Sequence, residues 1–171
     1  MSTLYRGRVW KFGDDVNTDL IMPGEAMYGK VPAEQVKDYA FKNVRPEFSK
    51  EVRPGDLVVG GQNFGCGSSR PACRVLKELG VSIVVAESFA QIFFRNSINL
   101  GFPLLVCPHV LGLLQDGDRA QVDPLTGHIV NLENDASLEG ERLPPFIVRL
   151  IEVGGILALL KEGKRLQSEP T

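Results

Sequence analysis

The 171-residue sequence predicts a single α/β domain, a mixed, partly parallel sheet flanked by helices, and three observations carry that prediction. Between residues 57 and 107, short apolar runs suited to strands buried on both faces alternate with segments of helical period. A hairpin pattern follows, residues 119–122 and 128–132 around Asp123-Pro124-Leu125-Thr126-Gly127. The composition, 43% hydrophobic and 23% charged with a net charge of −2, is that of one compact domain.

Residues 3–12 alternate as a strand does, with Leu4, Arg6, Arg8 and Trp10 on one face. Residues 13–29 are dense in Asp, Asn, Thr, Pro and Gly and too long for a mere connector; long ordered loops tend to carry function. Pro32 opens a helix to about Lys42 with Val36, Tyr39 and Ala40 inward. Pro54-Gly55-Asp56 reads as a turn, residues 57–59 as a buried strand, 60–70 as a glycine-rich loop and 71–79 as a helix closed by Gly80. Residues 81–86 form a β-branched buried strand, 87–99 a helix with Phe89, Ile92, Phe93 and Asn96 at turn spacing, and 104–107 another strand, joined by right-handed crossovers. Helical periodicity over residues 145–161 breaks at Gly154-Gly155. The domain is taken as residues 1–163, with 164–171 expected to be a disordered tail.

Composition removes several function classes. Nineteen Lys plus Arg against 21 Asp plus Glu leave no basic excess for a phosphate backbone. The apolar runs at 81–86 and 156–160 fall far short of the roughly 20 residues that cross a bilayer. Arg6 and Arg8 have no apolar core behind them, so the start does not read as a signal peptide, and a cytoplasmic location is expected. Cys66, Cys73 and Cys107 are odd in number and widely spaced, which is no disulfide framework. No C-x-x-C pair occurs and His109 and His128 are far apart, so no metal site is expected on this chain.

The chemistry concentrates in Gly60-Gly61-Gln62-Asn63-Phe64-Gly65-Cys66-Gly67-Ser68-Ser69-Arg70. Glycines at this density cost folding entropy, which is tolerated where backbone takes positive φ or approaches a ligand. A loop running from a strand end into a helix start aims free N–H groups and the positive helix end at one space, which suits an anion. Arg70 adds a planar fork for carboxylate or phosphate, and Ser68 and Ser69 supply hydroxyls, one of which can cap the helix. A dinucleotide fingerprint is imitated by Gly65-x-Gly67 with Glu87 beyond, but Arg70 stands where a small residue is needed. A hydrolase elbow, G-x-S-x-G, does not match either. Cys66, beside the helix start, reads either as an ordinary loop thiol or as a thiolate of lowered pKa.

Asn63-Phe64-Gly65-Cys66-Gly67-Ser68-Ser69-Arg70, Glu87-Ser88-Phe89-Ala90, Phe94-Arg95-Asn96-Ser97-Ile98-Asn99 and the upstream block from Asp15 through Asn17-Thr18-Asp19 to Gly24 together resemble the small subunits of 3-isopropylmalate dehydratase. These belong to the aconitase superfamily, and the four blocks run in that family's order over about residues 5–155. The resemblance implies a swivelling β/β/α domain, here a separate chain, that closes over a large subunit holding a [4Fe-4S] cluster, with no cofactor on this chain. It implies Ser68 as the base that moves a proton at the carbon next to a substrate carboxylate, and Ser69 and Arg70 as the carboxylate-binding pair. Gly65, Cys66, Gly67 and Asp19 would support that site, Asp19 either by orienting cationic groups of the partner or simply by making a turn. Met27, Tyr28 and Lys30 fall where the family contacts the variable end of the substrate: Met27-Tyr28-Gly29 favours an apolar substituent, whereas Lys30 suits a third carboxylate. Pro71-Ala72-Cys73 departs from the more familiar Glu-His-Ala, and Gln91 stands where arginine is common.

The expected function is therefore the small subunit of a hydro-lyase that interconverts 2- and 3-isopropylmalate in leucine biosynthesis, inactive without its large iron–sulfur partner. Small subunits acting on homoaconitate or 2,3-dimethylmalate, and a non-catalytic anion- or nucleotide-binding module, remain as alternatives.

Overall fold

Val9 and Trp10 are neighbours on β1 (Tyr5–Lys11), and both are fully buried. Successive strand residues face opposite sides, so β1 is covered on both. The computed structural model, which describes residues 4–27 and 29–168 and side chains as far as residue 163, shows the two covers. Trp10 joins Val58, Val84, Ala86 and Leu104 in one core, and Val9 joins Leu57, Val59, Ile83, Val85 and Leu105 in the other. These residues alternate along β2 (Leu57–Gly60), β3 (Ile83–Ala86) and β4 (Leu104–Val106), all parallel to their neighbours. The antiparallel half follows with β5 (Arg119–Asp123), β6 (His128–Asn131) and β7 (Ser137–Glu139), giving the order β4-β3-β2-β1-β5-β6-β7.

A parallel order that steps in one direction places successive right-handed crossovers on one face. In chain order, α1 spans Thr18–Ile21, α2 Phe48–Glu51, α3 Ala72–Glu78 and α4 Gln91–Asn99. Ala72, Cys73, Val75 and Leu76 of α3 and Phe93 of α4 pack into the Trp10 core, as that rule requires. The other face is closed by Val110 of α5 (Val110–Leu113), with Ala120, Val122 and Ile129 from the antiparallel half, so the sheet curls around its second core. One hydrogen bond links its two edges, the Glu141 amide beyond β7 donating to the Val106 carbonyl of β4 at 2.7 Å. α6 (Pro145–Glu152) and α7 (Ile156–Ser168) are separated at Gly154-Gly155, as the sequence predicts. Both glycines have positive φ, +88° and +107°, and a Cβ on Gly155 would strike the carbonyl of Asn99. α7 runs to Ser168, across most of the stretch set apart as a tail; residues 169–171 lie outside the described residues.

Several elements differ from expectation. The helix predicted from Pro32 is a 3-10 segment, Ala33–Tyr39, that buries no residue fully, because Val36 and Tyr39 make too thin an apolar stripe to hold an α-helix on the sheet. Phe41 beyond it takes φ +55° and stacks on Phe12, with ring centroids 4.1 Å apart, while Phe48 of the unforeseen α2 packs edge-on against it. The helix predicted to open at residue 87 begins at Gln91, because residues 88–90 are drawn into pairing with the glycine loop: the Phe64 amide donates to Ser88 at 3.0 Å and the Ala90 amide to Phe64 at 2.9 Å. β7 and α5, at three and four residues, were too short to register as periodicity.

Candidate active site

The glycine loop leaves the carboxyl end of β2 and is stitched on both flanks. On one flank the Gly61 amide donates to Gly13 at 2.9 Å, Asp15 to Gln62 at 2.8 Å, Gly65 to Val16 at 2.7 Å and Thr18 to Cys66 at 2.8 Å. On the other, the Asn63 amide donates to the Ser88 hydroxyl at 2.8 Å, beside the Phe64 pairing already described. Phe64 is fully buried between Phe89 and Phe93, with ring centroids 6.0 and 5.5 Å away. Gly65 takes φ +80°, and a Cβ there would enter the Phe93 ring. The loop is thus a fixed ledge, and the residues it presents at its outer end, Gly67, Ser68 and Ser69, are exposed.

Helix α1 meets that ledge side-on. Asn17 caps it by accepting the Asp19 amide, which turns Asp19 outward and Thr18 inward. The Asp19 carboxylate Oδ1 receives Arg70 Nε at 2.7 Å and the Ser68 hydroxyl at 3.1 Å, and Arg70 Nε also donates to Ser68 Oγ at 3.1 Å. Ser68 Oγ, Asp19 Oδ1 and Arg70 Nε therefore form a closed triangle. Arg70 Nη1 donates to the Met22 carbonyl at 2.8 Å, and the Thr18 hydroxyl to the Ser68 carbonyl at 2.7 Å. The Arg70 side chain is only 16% exposed while Asp19 is 50% exposed, so the guanidinium is held from behind and the carboxylate faces solvent.

The arrangement corrects parts of the sequence reading. The amides of Gly61, Gln62, Asn63, Phe64 and Gly65 are spent on protein acceptors, so an anion has only the end of the loop to bind: among the described residues, the amides of Gly67, Ser68 and Ser69 donate to no protein acceptor. α3 starts behind Pro71 without a side-chain cap, so neither serine is a capping residue. The Cys66 thiol, half-buried, is pushed up by burial and then by the charge of Asp15, which disfavours the thiolate reading. Met27 packs half-buried against the Trp10 core, Lys30 is exposed with its amide on the Met27 carbonyl at 3.3 Å, and Tyr28 lies outside the described residues. Among the described residues, no hydrogen bond or ion pair joins Lys30 to the triangle.

Two contributors were missed from sequence: the buried hydroxyl of Thr18 and the carbonyl of Met22. Asn-Thr-Asp signalled a turn, but nothing in it said which of the three would face the loop. Ser69 and Arg70 also open onto a groove of about 580 Å³ with Asn96, Asn99, Leu100 and Leu157 along its walls. Among the described residues, no three His, Cys, Asp or Glu side chains converge as metal ligands, and no helix is long and apolar enough to cross a membrane.

Chemically, the triangle places a hydroxyl between a carboxylate able to receive its proton and a guanidinium able to stabilise the alkoxide left behind. Comparison with known proteins finds the same architecture. Residues 16–108 match the Aconitase C-terminal domain family. The isopropylmalate/citramalate isomerase small subunit of Methanocaldococcus jannaschii is 44% identical over 163 residues, 95% of this chain and 96% of its own length. The 3-isopropylmalate dehydratase small subunit 1 of Methanopyrus kandleri is 46% identical over 96% of this chain and 98% of its own. A crystal structure of 3-isopropylmalate dehydratase from M. jannaschii superposes with a TM-score of 0.89 at 34% identity, covering 96% of this chain and 98% of that one.

Proposed function

The chain belongs to the aconitase C-terminal domain family, among the small subunits of 3-isopropylmalate dehydratase, and from that premise we propose that its Ser68–Asp19–Arg70 triangle is the proton-transfer half of the hydro-lyase active site. The reaction interconverts 2- and 3-isopropylmalate by loss and return of water across adjacent carbons. The observation that carries the reading is the sharing of one Arg70 N–H between Ser68 Oγ and Asp19 Oδ1.

A serine hydroxyl is a very weak acid, so Ser68 acts as a base only where its alkoxide is stabilised. Asp19 is placed to take the hydroxyl proton and Arg70 Nε to balance the oxyanion. Ser68 then removes the proton from the carbon beside a substrate carboxylate and returns it, on the neighbouring carbon, during rehydration. The exposed amides of Gly67, Ser68 and Ser69, with the Ser69 hydroxyl, hold that carboxylate. Because Arg70 spends Nε and Nη1 on Asp19 and Met22, its contribution to the carboxylate comes from the outer edge through Nη2. Met27 and Lys30 belong to the segment that borders the variable end of the substrate. The partner is a large subunit whose [4Fe-4S] cluster supplies the Lewis acid for departure of the hydroxyl. This chain's residues do not fit such a cluster, since no ligand set converges among those described. Three free cysteines agree with a reducing cytoplasm.

The test is reconstitution with the large subunit. Ser68→Ala should lose turnover by about 1,000-fold or more while the pair still assembles. Turnover within tenfold of the parent pair would sink the proposal, and so would interconversion by the chain alone. The M. jannaschii relative named for citramalate as well favours a second, broader reading in which a methyl substituent is also accepted. Citramalate, homoaconitate and 2,3-dimethylmalate beside isopropylmalate in the same assay decide between them.

A further inference from the structure

Thr18 is 3% exposed, whereas its neighbour Asp19 is half exposed. A buried hydroxyl must find a partner. That of Thr18 reaches not within its own helix but 50 positions along the chain, to the carbonyl of Ser68 at 2.7 Å. We propose that Thr18, through this hydrogen bond, is a positioning residue that sets the Ser68 hydroxyl at its reacting height; the proposal rests on the reading of Ser68 as the base.

The backbone before Ser68 is Gly67, at φ +92°, which by itself tolerates many orientations of the following residue. The peptide after Ser68 is fixed by two donors on its carbonyl, the Arg70 amide at 2.8 Å and Thr18 Oγ1. The Arg70 amide moves with the loop itself, so Thr18 is the anchor to a separate element. The Thr18 amide donates to the Cys66 carbonyl at 2.8 Å, so the two bonds straddle Gly67. At the far end of the same turn, Met22 donates to the Thr18 carbonyl at 2.8 Å and offers its own carbonyl to Arg70 Nη1 at 2.8 Å. A single helical turn therefore holds Ser68 and Arg70 in register with Asp19. Loss of the Thr18 bond frees Ser68 to move against the other two corners, and a shift of about 1 Å costs on the order of 100-fold in rate.

The experiment uses the chain assembled with its large subunit. Thr18→Val keeps the volume and removes the donor; Thr18→Ser keeps the donor and removes the methyl. Thr18→Val should lower kcat on the order of 100-fold with a smaller rise in KM, because the Ser69 amide shares the freed peptide unit while the Gly67 amide, the Ser69 hydroxyl and Arg70 still hold the carboxylate. It should slow exchange of the substrate C–H proton with D2O by the same factor. Thr18→Ser should restore most of both. Equal loss in the two variants, or an effect confined to KM with kcat unchanged, overturns the proposal, because the hydroxyl would then not be setting the reacting position of Ser68. If Thr18→Val does not assemble, Thr18→Cys, a poor donor, replaces it under the same criteria. If neither assembles while Thr18→Ser does, the bond is a folding determinant and the proposal fails. Ser68→Ala in the same assay separates the two levels: if it keeps its turnover, the base assignment is wrong; if it loses turnover while Thr18→Val does not, only the positioning role is.

Discussion

Arg70 Nε lies 2.7 Å from Asp19 Oδ1 and 3.1 Å from Ser68 Oγ, so one N–H serves a carboxylate and a hydroxyl at once. The guanidinium is planar and Nη1 is pinned on Met22, which prevents Arg70 from turning to favour either acceptor. A positive charge is thus fixed beside the Ser68 hydroxyl in the free chain.

Arg70→Lys keeps the charge and loses that geometry. An ammonium has no planar edge to span Asp19, Ser68 and the Met22 carbonyl, so kcat of the assembled enzyme should fall by about 100-fold to 1,000-fold. A steady-state assay together with an unchanged far-ultraviolet circular dichroism spectrum checks it.

Asp19→Asn preserves shape and removes the proton acceptor. Turnover should drop by about 100-fold or more, with assembly unaffected because the carboxylate is half exposed and buries little. A variant that retains parent kcat would leave Asp19 as a turn former.

Gly65→Ala meets a backbone at φ +80° and the ring of Phe93. Destabilisation should reach about 2–4 kcal/mol, from positive φ and overpacking together, and a thermal melt should show a fall of several degrees or more.

Arg45 bridges Asp116 at 2.8 Å and Glu47 at 2.9 Å. Burial opposes ionisation of Asp116, but the bonds from Arg45 and the Lys11 amide outweigh it and hold the carboxyl below its ordinary 3.8. A group whose folded value is depressed gives stability that is present above the unfolded value and lost as pH falls through the folded one. The melting midpoint of Asp116→Asn should therefore lie below the parent's at neutral pH, with the gap closing as pH drops below 3.8.

Burial, followed by the charges of Glu87 and Glu139, pushes the Cys107 thiol up to about 11. Iodoacetamide at pH 8 should label Cys66, which is partly exposed, well before buried Cys73 and Cys107. Mass spectrometry of timed digests reads the order, and labelling of Cys107 first would contradict it.

The parallel half of the fold was legible because its signals are local: the β-branched runs that became β2 and β3, the period of α3 and α4, and the glycine stops. What escaped was set by contacts distant in sequence. Residues 88–90 have helical spacing but are captured by Phe64, and Phe41 turns inward only because Phe12 and Phe48 receive it. The same distinction divides the site. Ser68 and Arg70 stood out by residue type and glycine neighbours, and Asp19 by its motif. Their mutual arrangement depends on α1 lying across a loop some 50 residues on, and no spacing rule contains that. Among the described residues, Met27 and Lys30 make no hydrogen bond or ion pair with the triangle.

The hydrogen bond from Glu141, just beyond β7, to Val106 of β4 ties the two outer strands of the sheet order at one point. Unpaired strand edges are where like molecules stick to one another and grow into aggregates. By occupying the Val106 carbonyl, this contact leaves less bare strand for a second copy of the chain to add to.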